Sequence, residues 1–407
     1  MPTDQTGPQA RAFAALDCLA GDLPALGIAL SGGGDSVALM HLIARWAGTR
    51  RIAVASVDHG LRPESAHEAE QAGQAAAALG LEHRILRWQG GAGGGGNLMA
   101  RARAARLRLL ADWARTEGLA AVMLGHTRDD VAETLLMRLA RGAGLDGLSA
   151  MATRREAEGM IWLRPLLETG REELRGWLRI IGASWIEDPS NEDPRFERAR
   201  MRRAMSELGL DPALLALSAE NLREAREALN DLLAPILDDS RVRAGSVLLP
   251  RQAFDAASQE SRRRLVLAAV RFVTGAHYPP RRAGVDHALS ALAEGRRVSL
   301  DGAVLDPGAE ILIHREAGRV EAGMQDDIWD NRWRITGLQP GDRVAALGAD
   351  AAAVDWRAAG LGHLEAQALP AVRRADRLLV PALTPAEGLG ATPLRNMTDF
   401  RRILFGH

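Results

Sequence analysis

Residues 27–36 read GIALSGGGDS, and this stretch decides the fold. Its apolar first half predicts a short buried strand, and the apolar periodicity after Ser36 predicts an amphipathic helix. Small residues between a strand and a helix let backbone N–H groups approach an oxyanion, where the helix dipole also favours negative charge. The hydroxyls of Ser31 and Ser36 add two donors. The loop lacks the lysine of a Walker A loop, so it predicts a phosphate site of another kind.

Apolar strands alternate with helical patterns from residue 24 to about residue 190. Strands are predicted at Leu26–Leu30, Ile52–Val57, His83–Trp88, Ala121–Leu124 and Met160–Leu163, and helices at 35–47, 64–79, 97–117, 129–140 and 170–181. This alternation predicts an α/β fold with a doubly wound, mostly parallel sheet. Ligands of such sheets bind at the carboxyl ends of the strands. The loops at 31–36, 58–62 and 125–134 all follow predicted strands.

Four later segments place polar residues in or near the loops that follow the predicted strands. They are Asp58–Arg62, Gly125–Thr134 (GHTRDDVAET), Arg141–Leu148 (RGAGLDGL), and Trp185–Asn191 (WIEDPSN) with the arginines that follow it. Together with the glycine loop, these segments resemble the N-type ATP pyrophosphatases of the PP-loop family and, among them, the tRNA(Ile)-lysidine synthases. The resemblance is dense over about residues 24–205 and weaker beyond.

The resemblance implies a ligase that uses ATP and Mg²⁺. Such an enzyme adenylates O2 of the wobble cytidine of tRNA(Ile) with a CAU anticodon and then couples free L-lysine at C2. It releases AMP and pyrophosphate, and the codon that the tRNA reads changes from AUG to AUA. The alternatives are another PP-loop enzyme that modifies tRNA or amidates a small substrate, and a nucleotide-binding module without catalysis.

Three domains follow from the same resemblance. They are a catalytic PP-loop domain at 1–205, a mainly helical tRNA-binding domain at 206–320 and a small, mixed and divergent domain at 321–407. Helices are predicted at Asn221–Leu233 and Gln259–Thr274, and short strands near 297–300, 309–313, 333–335 and 377–380. The C-terminal domain of the family usually carries lysines. This chain has none, which argues against tRNA contacts by that segment.

The glycine loop is where the resemblance places the phosphates of ATP. The residues predicted to bind ATP are Ser31, Gly32, Gly33, Gly34, Asp35, Ser36, Asp58, His59 and His126. A carboxylate within an anion site repels phosphate unless a cation intervenes, so Asp35 is predicted to bind Mg²⁺, with a helix N-cap as the alternative. For Asp58 the alternative is a turn between strand and helix, and for His126 it is a structural hydrogen bond.

Asp130 and Glu133 lie three residues apart on a predicted helix, so their carboxylates share one face. The resemblance places this pair in the active site as catalytic residues together with Asp35. Asp130 is the second predicted Mg²⁺ ligand. One carboxylate of the pair can also bind the lysine ammonium and accept its proton, because free lysine is protonated at neutral pH. Which carboxylate binds the metal and which is the base stays open.

All 51 basic residues are arginines, because the chain contains no lysine. An attacking lysine must therefore be a free substrate. The arginines predicted to contact substrate or tRNA are Arg62, Arg101, Arg106, Arg198 and Arg202. The last two are four residues apart and can present two guanidiniums to a phosphate. A solvated helix face is the alternative, and it is favoured for Arg200.

Composition limits the remaining classes of protein. A length of 407 residues predicts two or three domains, and 47% hydrophobic with 25% charged residues is typical of a globular protein. The single cysteine, Cys18, excludes an internal disulfide and argues against a thiolase, and it favours a cytoplasmic location. No apolar run is long enough to span a bilayer, so no membrane contact is predicted. A homodimer is compatible with the resemblance, and the sequence does not decide it.

Overall fold

The computed structural model describes residues 7–60, 64–90, 98–187, 193–276, 278–321, 323–384, 386 and 388–406. The chain forms two compact units, Met1–Arg226 and Glu227–His407. The division into three domains at 205 and 320 stays a prediction. No helix in the described part of the chain is both long and apolar enough to cross a membrane.

A six-stranded sheet forms the centre of the first unit. Its strands are β1 (Ala25–Ala29), β2 (Arg51–Asp58), β3 (Glu82–Arg87), β4 (Ala121–Leu124), β5 (Arg154–Ala157) and β6 (Met160–Leu163). Their order is β3-β2-β1-β4-β6-β5, and all neighbours are parallel except β5, which is antiparallel to β6. The predicted doubly wound, mostly parallel sheet is confirmed, with each of its five predicted strands found within one residue at both ends.

Helices cover both faces of this sheet. The helices of this unit are α1 (Pro8–Ala20), α2 (Gly34–Trp46), α3 (Ser65–Ala78), α4 (Leu98–Thr116), α5 (Arg128–Leu139), α6 (Leu145–Leu148), α7 (Arg171–Ile180), α8 (Glu197–Glu207) and α9 (Pro212–Asp238), the last of which continues into the second unit. Successive strand residues point to opposite faces. Leu26 and Ile28 pack with α1, α2 and α7, whereas Ala29 and Val122 pack with Trp113 of α4. The core therefore has two layers, and the strand ends between them are open to ligands.

The second unit combines antiparallel sheets with helices. Its strands are β7 (Arg241–Arg243), β8 (Ser246–Pro250), β9 (Val298–Leu300), β10 (Ala303–Pro307), β11 (Glu310–Arg315), β12 (Met324–Gln325), β13 (Ile328–Trp329), β14 (Trp333–Thr336), β15 (Arg343–Ala346), β16 (Pro370–Arg374), β17 (Arg377–Leu379) and β18 (Gly390–Pro393). Its helices are α10 (Arg251–Ala256), α11 (Gln259–Thr274), α12 (Arg282–Ala293), α13 (His363–Gln367) and α14 (Met397–Phe405). Phe272 of α11 packs edge to face against Phe400 of α14.

The region predicted to be mainly helical also contains a five-stranded sheet, in the order β7-β8-β11-β10-β9. Strands β9 and β11 correspond to predicted strands, and helix α11 has the predicted bounds. Strands β7, β8 and β10 were not predicted. The fold class of helices and small sheets after the parallel sheet is nevertheless confirmed.

Candidate active site

The glycine loop joins β1 to α2 and is held together by its own hydroxyls. Ser36 Oγ donates to the Gly33 carbonyl oxygen at 2.9 Å and accepts a hydrogen bond from the Ser31 backbone N–H at 3.2 Å. The two hydroxyl oxygens of Ser31 and Ser36 lie 3.0 Å apart. Gly33 is the N-cap residue of α2. Asp35 is therefore not the N-cap, which was its alternative role. The loop therefore places small residues at a helix N-terminus, where N–H groups lack intrahelical partners.

Close approaches of neighbouring segments require two of the glycines. Gly32 has a φ of +83°, and a Cβ there would lie 2.7 Å from Ile186 Cδ1. At Gly125, a Cβ would lie 3.0 Å from the Asp35 carbonyl oxygen and from the Ser36 nitrogen. The end of β4 thus contacts the first turn of α2, and two of the three predicted ligand-binding loops meet.

A tryptophan covers the start of α2. A Cβ at Gly34 would lie 3.4 Å from Cδ1 of Trp185. The backbone N–H of the next residue, Ile186, donates to the Gly32 carbonyl oxygen at 2.9 Å. The segment before α8 is thereby fastened to the glycine loop.

A cavity of about 740 Å³ lies at the carboxyl ends of β1 and β4. It is lined by five of the predicted ATP-binding residues of the loop, namely Ser31, Gly33, Gly34, Asp35 and Ser36, and by His126. Among the described lining residues, eight are arginines and three are carboxylates. The arginines are Arg103, Arg106, Arg155, Arg164, Arg171, Arg175, Arg198 and Arg202, and the carboxylates are Asp35, Asp130 and Glu187. This excess of cations favours a polyanionic ligand.

One guanidinium joins the three predicted acids. Arg171, the first residue of α7, places Nε 3.1 Å from Asp35 Oδ2 and Nη1 3.0 Å from Glu133 Oε1. Its Nη2 lies 3.7 Å from Asp130 Oδ1, and its backbone N–H donates to Asp129 Oδ2 at 2.7 Å. The structure therefore brings Asp35, Asp130 and Glu133 together around Arg171, which is not among the predicted site residues.

Two arginines of α8 contact the same acids. Arg202 Nε donates to Glu133 Oε1 at 2.6 Å, and Arg198 Nη1 donates to Asp130 Oδ1 at 3.2 Å. Arg200 is exposed and donates to backbone carbonyls. The pair predicted to contact phosphate thus faces carboxylates in this structure, and it also lines the cavity.

Two carboxylate oxygens of the site are buried without a hydrogen-bond partner among the described residues: Asp35 Oδ1 and Glu133 Oε2. Burial raises the pKa of Asp35, and the positive charge of Arg171 opposes that rise. Burial acts in the same direction on Asp130, but Arg198 and Arg171 outweigh it and lower the pKa of this carboxyl. Carboxylate oxygens are the ligands that Mg²⁺ prefers, so these acids fit a divalent cation. No cluster of three metal-ligating side chains occurs in the described part of the chain.

His126 follows β4 and lines the cavity. Its Nδ1 accepts a hydrogen bond from Nε of Arg164 at 3.1 Å. Burial lowers the pKa of His126 to about 4. The imidazole is therefore neutral at pH 7.

The end of β2 lies outside the lining of this cavity. Asp58 Oδ1 accepts hydrogen bonds from Ser65 Oγ at 2.6 Å and from the Gly60 N–H at 2.9 Å, and these bonds lower the pKa of Asp58. These two bonds correspond to the alternative role of Asp58, that of a carboxylate satisfied between strand and helix. His59 is half-buried, with its ring edge to face with Trp88 at a centroid distance of 6.4 Å. ATP contacts by Asp58 and His59 stay predictions.

The remaining predicted arginines differ in position. Arg106 of α4 lines the cavity. Arg101 does not line it and donates to the Gly90 carbonyl oxygen at 2.8 Å. Arg62 and the segment 188–192 lie outside the described residues.

Sequence reasoning missed Arg164 and Arg171, although each carries a signal. Arg164 directly follows a predicted buried strand, at the edge where ligands of parallel sheets bind. Arg171 stands in the first turn of a predicted helix, where the helix dipole disfavours a cation. An arginine in such a position indicates an acidic partner nearby, and the structure provides three.

Comparison with known proteins agrees with this architecture. A family model described as a PP-loop domain matches residues 12–208. The tRNA(Ile)-lysidine synthase of Ruegeria pomeroyi is 45% identical over 396 residues, which cover 94% of this chain and 94% of the relative. That of a Bradyrhizobium species is 42% identical over 266 residues, covering 61% of this chain and 74% of the relative.

Among solved structures, a U34-tRNA thiolase from Methanococcus maripaludis aligns with a TM-score of 0.45 and 17% identity, over 53% of this chain and 75% of that chain. The sequence relatives decide the family. The similarity to the Ruegeria pomeroyi enzyme extends over nearly the whole of both chains, so it includes the second unit as well as the PP-loop domain. This chain belongs to the tRNA(Ile)-lysidine synthase family.

Proposed function

We propose that this chain adenylates O2 of the wobble cytidine in tRNA(Ile) with a CAU anticodon and then couples free L-lysine at C2. ATP supplies the adenylate, and pyrophosphate and AMP are released. The observation that carries the proposal is the convergence of the glycine loop with Asp35 and Asp130 at one cavity, where Arg171 joins both acids to the buried Glu133. Membership of the family supports the identity of the substrates.

The glycine loop binds the triphosphate. Its contribution is the set of N–H groups in the first turn of α2, together with the Ser31 hydroxyl. Ser36 holds the loop closed by donating to Gly33, so its role is to shape the cradle. The lining arginines balance the charge of the phosphates, and as guanidiniums they can donate two parallel hydrogen bonds to one phosphate.

Asp35 and Asp130 would hold Mg²⁺, since Asp35 Oδ1 is buried without a partner among the described residues and both side chains line the cavity. The cation supplies electrostatic stabilisation of the departing pyrophosphate. Arg171 keeps the carboxylates of α2 and α5 together before substrates enter.

We assign receipt of the lysine amine to Glu133, which lies directly behind the lining residues Arg171 and Arg202. Its side chain is fully buried, and Oε1 is bound by Arg171 and Arg202. Oε2 has no hydrogen-bond partner in the described part of the chain and lies 3.9 Å from Nε of Arg198. That oxygen can bind the ammonium group and accept its proton. The neutral amine then attacks C2 as AMP leaves.

Release of pyrophosphate from ATP tests the proposal. With tRNA(Ile) carrying a CAU anticodon, ATP, Mg²⁺ and lysine, we expect pyrophosphate, AMP and lysine-labelled tRNA in equal amounts. Without lysine, the first step alone should support exchange of labelled pyrophosphate into ATP. The same reaction with tRNA(Met), or with ammonia or glutamine in place of lysine, is the control. Product formation with those substituted reactants, or none with the complete set, would contradict the proposal.

We also place the reaction in the cytoplasm, where tRNA and free lysine are available. The single cysteine, Cys18, is unpaired and exposed. A free exposed thiol suits a reducing compartment. We expect activity that is unchanged by dithiothreitol, because a chain with one cysteine has no internal disulfide to reduce.

A further inference from the structure

Arg164 is held at two points beside His126. Its Nε donates to His126 Nδ1 at 3.1 Å, and its Nη1 donates to the Ala152 carbonyl oxygen at 2.7 Å. Both Arg164 and His126 line the cavity. The second bond fixes the guanidinium plane, so the direction of the first bond is set by the protein before any substrate binds.

The chemistry of the two groups decides which imidazole nitrogen carries the proton. A guanidinium has five N–H donors and no acceptor, so His126 Nδ1 must accept through its lone pair. Burial lowers the pKa of Arg164 to about 10, which leaves it charged at neutral pH. A neutral imidazole whose Nδ1 accepts carries its proton on Nε2.

The remaining nitrogen is free to bind a ligand. His126 Nε2 has no hydrogen-bond partner among the described residues, and His126 is part of the cavity lining. The charged groups that act on this imidazole come from four elements: Asp130 of α5, Arg164 after β6, Arg198 of α8 and Arg106 of α4. Three of the four are cations, which favour the neutral ring and attract an anion to the same place.

We propose that Arg164 is a positioning residue that fixes His126 as its Nε2–H tautomer, so that His126 presents an uncharged N–H donor to an anionic oxygen in the cavity. The identity of that oxygen, on the phosphates or on the adenylated intermediate, rests on the proposed function. The tautomer of His126 does not depend on the proposed function. In this arrangement His126 neither bears a charge nor acts as a base through Nδ1.

The tautomer is measured by ¹⁵N NMR of the full-length protein with labelled histidine, in the absence of substrates. His126 is assigned by comparison with the His126→Gln variant. We expect an unprotonated, pyridine-type signal at Nδ1 and a protonated, pyrrole-type signal at Nε2, retained from pH 6 to pH 8. In Arg164→Met the two signals should move toward the average of exchanging tautomers. Arg164→Lys, which keeps a cationic donor, should restore part of the difference.

A matched control separates the hydrogen bond from the positive charge. Arg155→Met also removes an arginine from the cavity lining, but within the described ranges Arg155 makes no hydrogen bond to the His126 ring. The tautomer should be unchanged in this variant. A protonated Nδ1 in the wild-type protein, or identical His126 spectra before and after Arg164→Met, would overturn the proposal.

Two substitutions of His126 test the consequence for the reaction. The amide nitrogen of Gln can occupy the place of Nε2, whereas that of Asn reaches only the place of Nδ1. We expect His126→Asn to lower kcat/KM for tRNA modification by about 100-fold, as for loss of one preorganised donor, and His126→Gln to lower it clearly less. Equal losses in the two variants would contradict the donor role. An inactive wild-type protein with the expected NMR spectrum would refute the proposed function and leave the tautomer in place.

Discussion

At the scale of single residues, the site is a balance between three carboxylates and three guanidiniums. Glu133 is completely buried, and Arg171 and Arg202 both contact one of its oxygens. Asp130 accepts from Thr127 through Oδ2 and from Arg198 through Oδ1. Asp35 has one bound and one unbound oxygen. Of the three acids, Asp35 thus faces the cavity with the least hydrogen-bonded carboxylate.

Asp35→Ala should abolish exchange of labelled pyrophosphate into ATP without unfolding the protein. The reason is that the variant removes the cavity carboxylate with an available oxygen and leaves the hydroxyl contacts of the glycine loop intact. Exchange is measured with tRNA and Mg²⁺, and folding by circular dichroism. Asp112→Asn, an exposed change on α4 where the side chain pairs with Arg115 one helical turn away, is the control. Exchange by Asp35→Ala at a rate near that of the control would exclude a metal-binding role.

Arg171→Met should destabilise the protein by about 3 kcal/mol, because it removes a cation shared by buried carboxylates. The free energy of unfolding is measured by urea denaturation. Adding Glu133→Gln should recover part of the loss, since neighbouring charges are not additive.

Arg128→Gln is the matched control for this variant. Arg128 also connects α5 to α7, through Glu173 at 2.8 Å, but about a third of each side chain is exposed. A pair of that kind contributes less than about 1 kcal/mol. If Arg128→Gln and Arg171→Met destabilised the protein equally, the shared contact of Arg171 with the acids would have no special importance.

At the scale of secondary-structure elements, the segments with a strong hydrophobic pattern could be predicted from the sequence. Four of the five parallel strands are mostly apolar runs that end in loops, so β1, β2, β4 and β6 could be predicted within one residue. Strand β3 was also predicted within one residue, although most of its side chains are exposed. Strand β5 was missed because three of its four residues are exposed and polar. Strands β12 and β13 have two residues each, too few for any alternation to be visible. Burial against a neighbour determines such short strands.

The turn between β2 and α3 gives a prediction about pH. Hydrogen bonds from Ser65 and Gly60 lower the pKa of Asp58, so the unfolded state binds more protons than the folded state at mildly acidic pH. The stabilisation is therefore complete above the unfolded pKa and is lost as the pH falls through the lower, folded pKa.

Ser65→Ala should cost about 1 kcal/mol at pH 7, the usual contribution of one such hydrogen bond. The difference from wild type should shrink as the pH is lowered below 4, since the protonated Asp58 no longer prefers the folded state. Urea denaturation at a series of pH values measures it. A difference that stays constant with pH would show that the bond between Ser65 and Asp58 contributes nothing through the charge.

At the scale of the whole molecule, net charge conceals the distribution of charge. The formal net charge is −1, yet the cavity lining has eight arginines and three carboxylates among the described residues. The convergence of three acids could be inferred from motifs at strand ends. The contacts of these acids with Arg171 could not be inferred from the sequence. Arg171 is 136 positions from Asp35, and the packing of α7 against α2 brings the two side chains together.

Binding of tRNA should weaken with salt despite the negative net charge, with a slope that reflects the number of phosphates contacted. Arg155→Gln should reduce the slope of log K against log salt concentration by about one contact, or 0.7 to 0.9. Filter binding at several salt concentrations measures it.

Arg154→Gln is the control, because Arg154 is the neighbour of Arg155 on β5, pairs with Glu156 at 3.6 Å and does not line the cavity. Its slope should equal that of the wild type. The same reduction in both variants would indicate a general charge effect in place of a contact made at the cavity.

The tryptophan that covers the start of α2 provides an optical signal without added label. Indole emission depends on nearby charge and on access of water, and Trp185 lies against Gly34, where the phosphates are expected. Arrival of a nucleotide should therefore change the fluorescence of the unmodified protein, and Trp185→Phe should remove that change while the other eight tryptophans still emit. In a stopped-flow experiment, the fluorescence of Trp185 would then follow nucleotide binding at the glycine loop. The rate of binding could be measured separately from the rate of the chemical steps on tRNA.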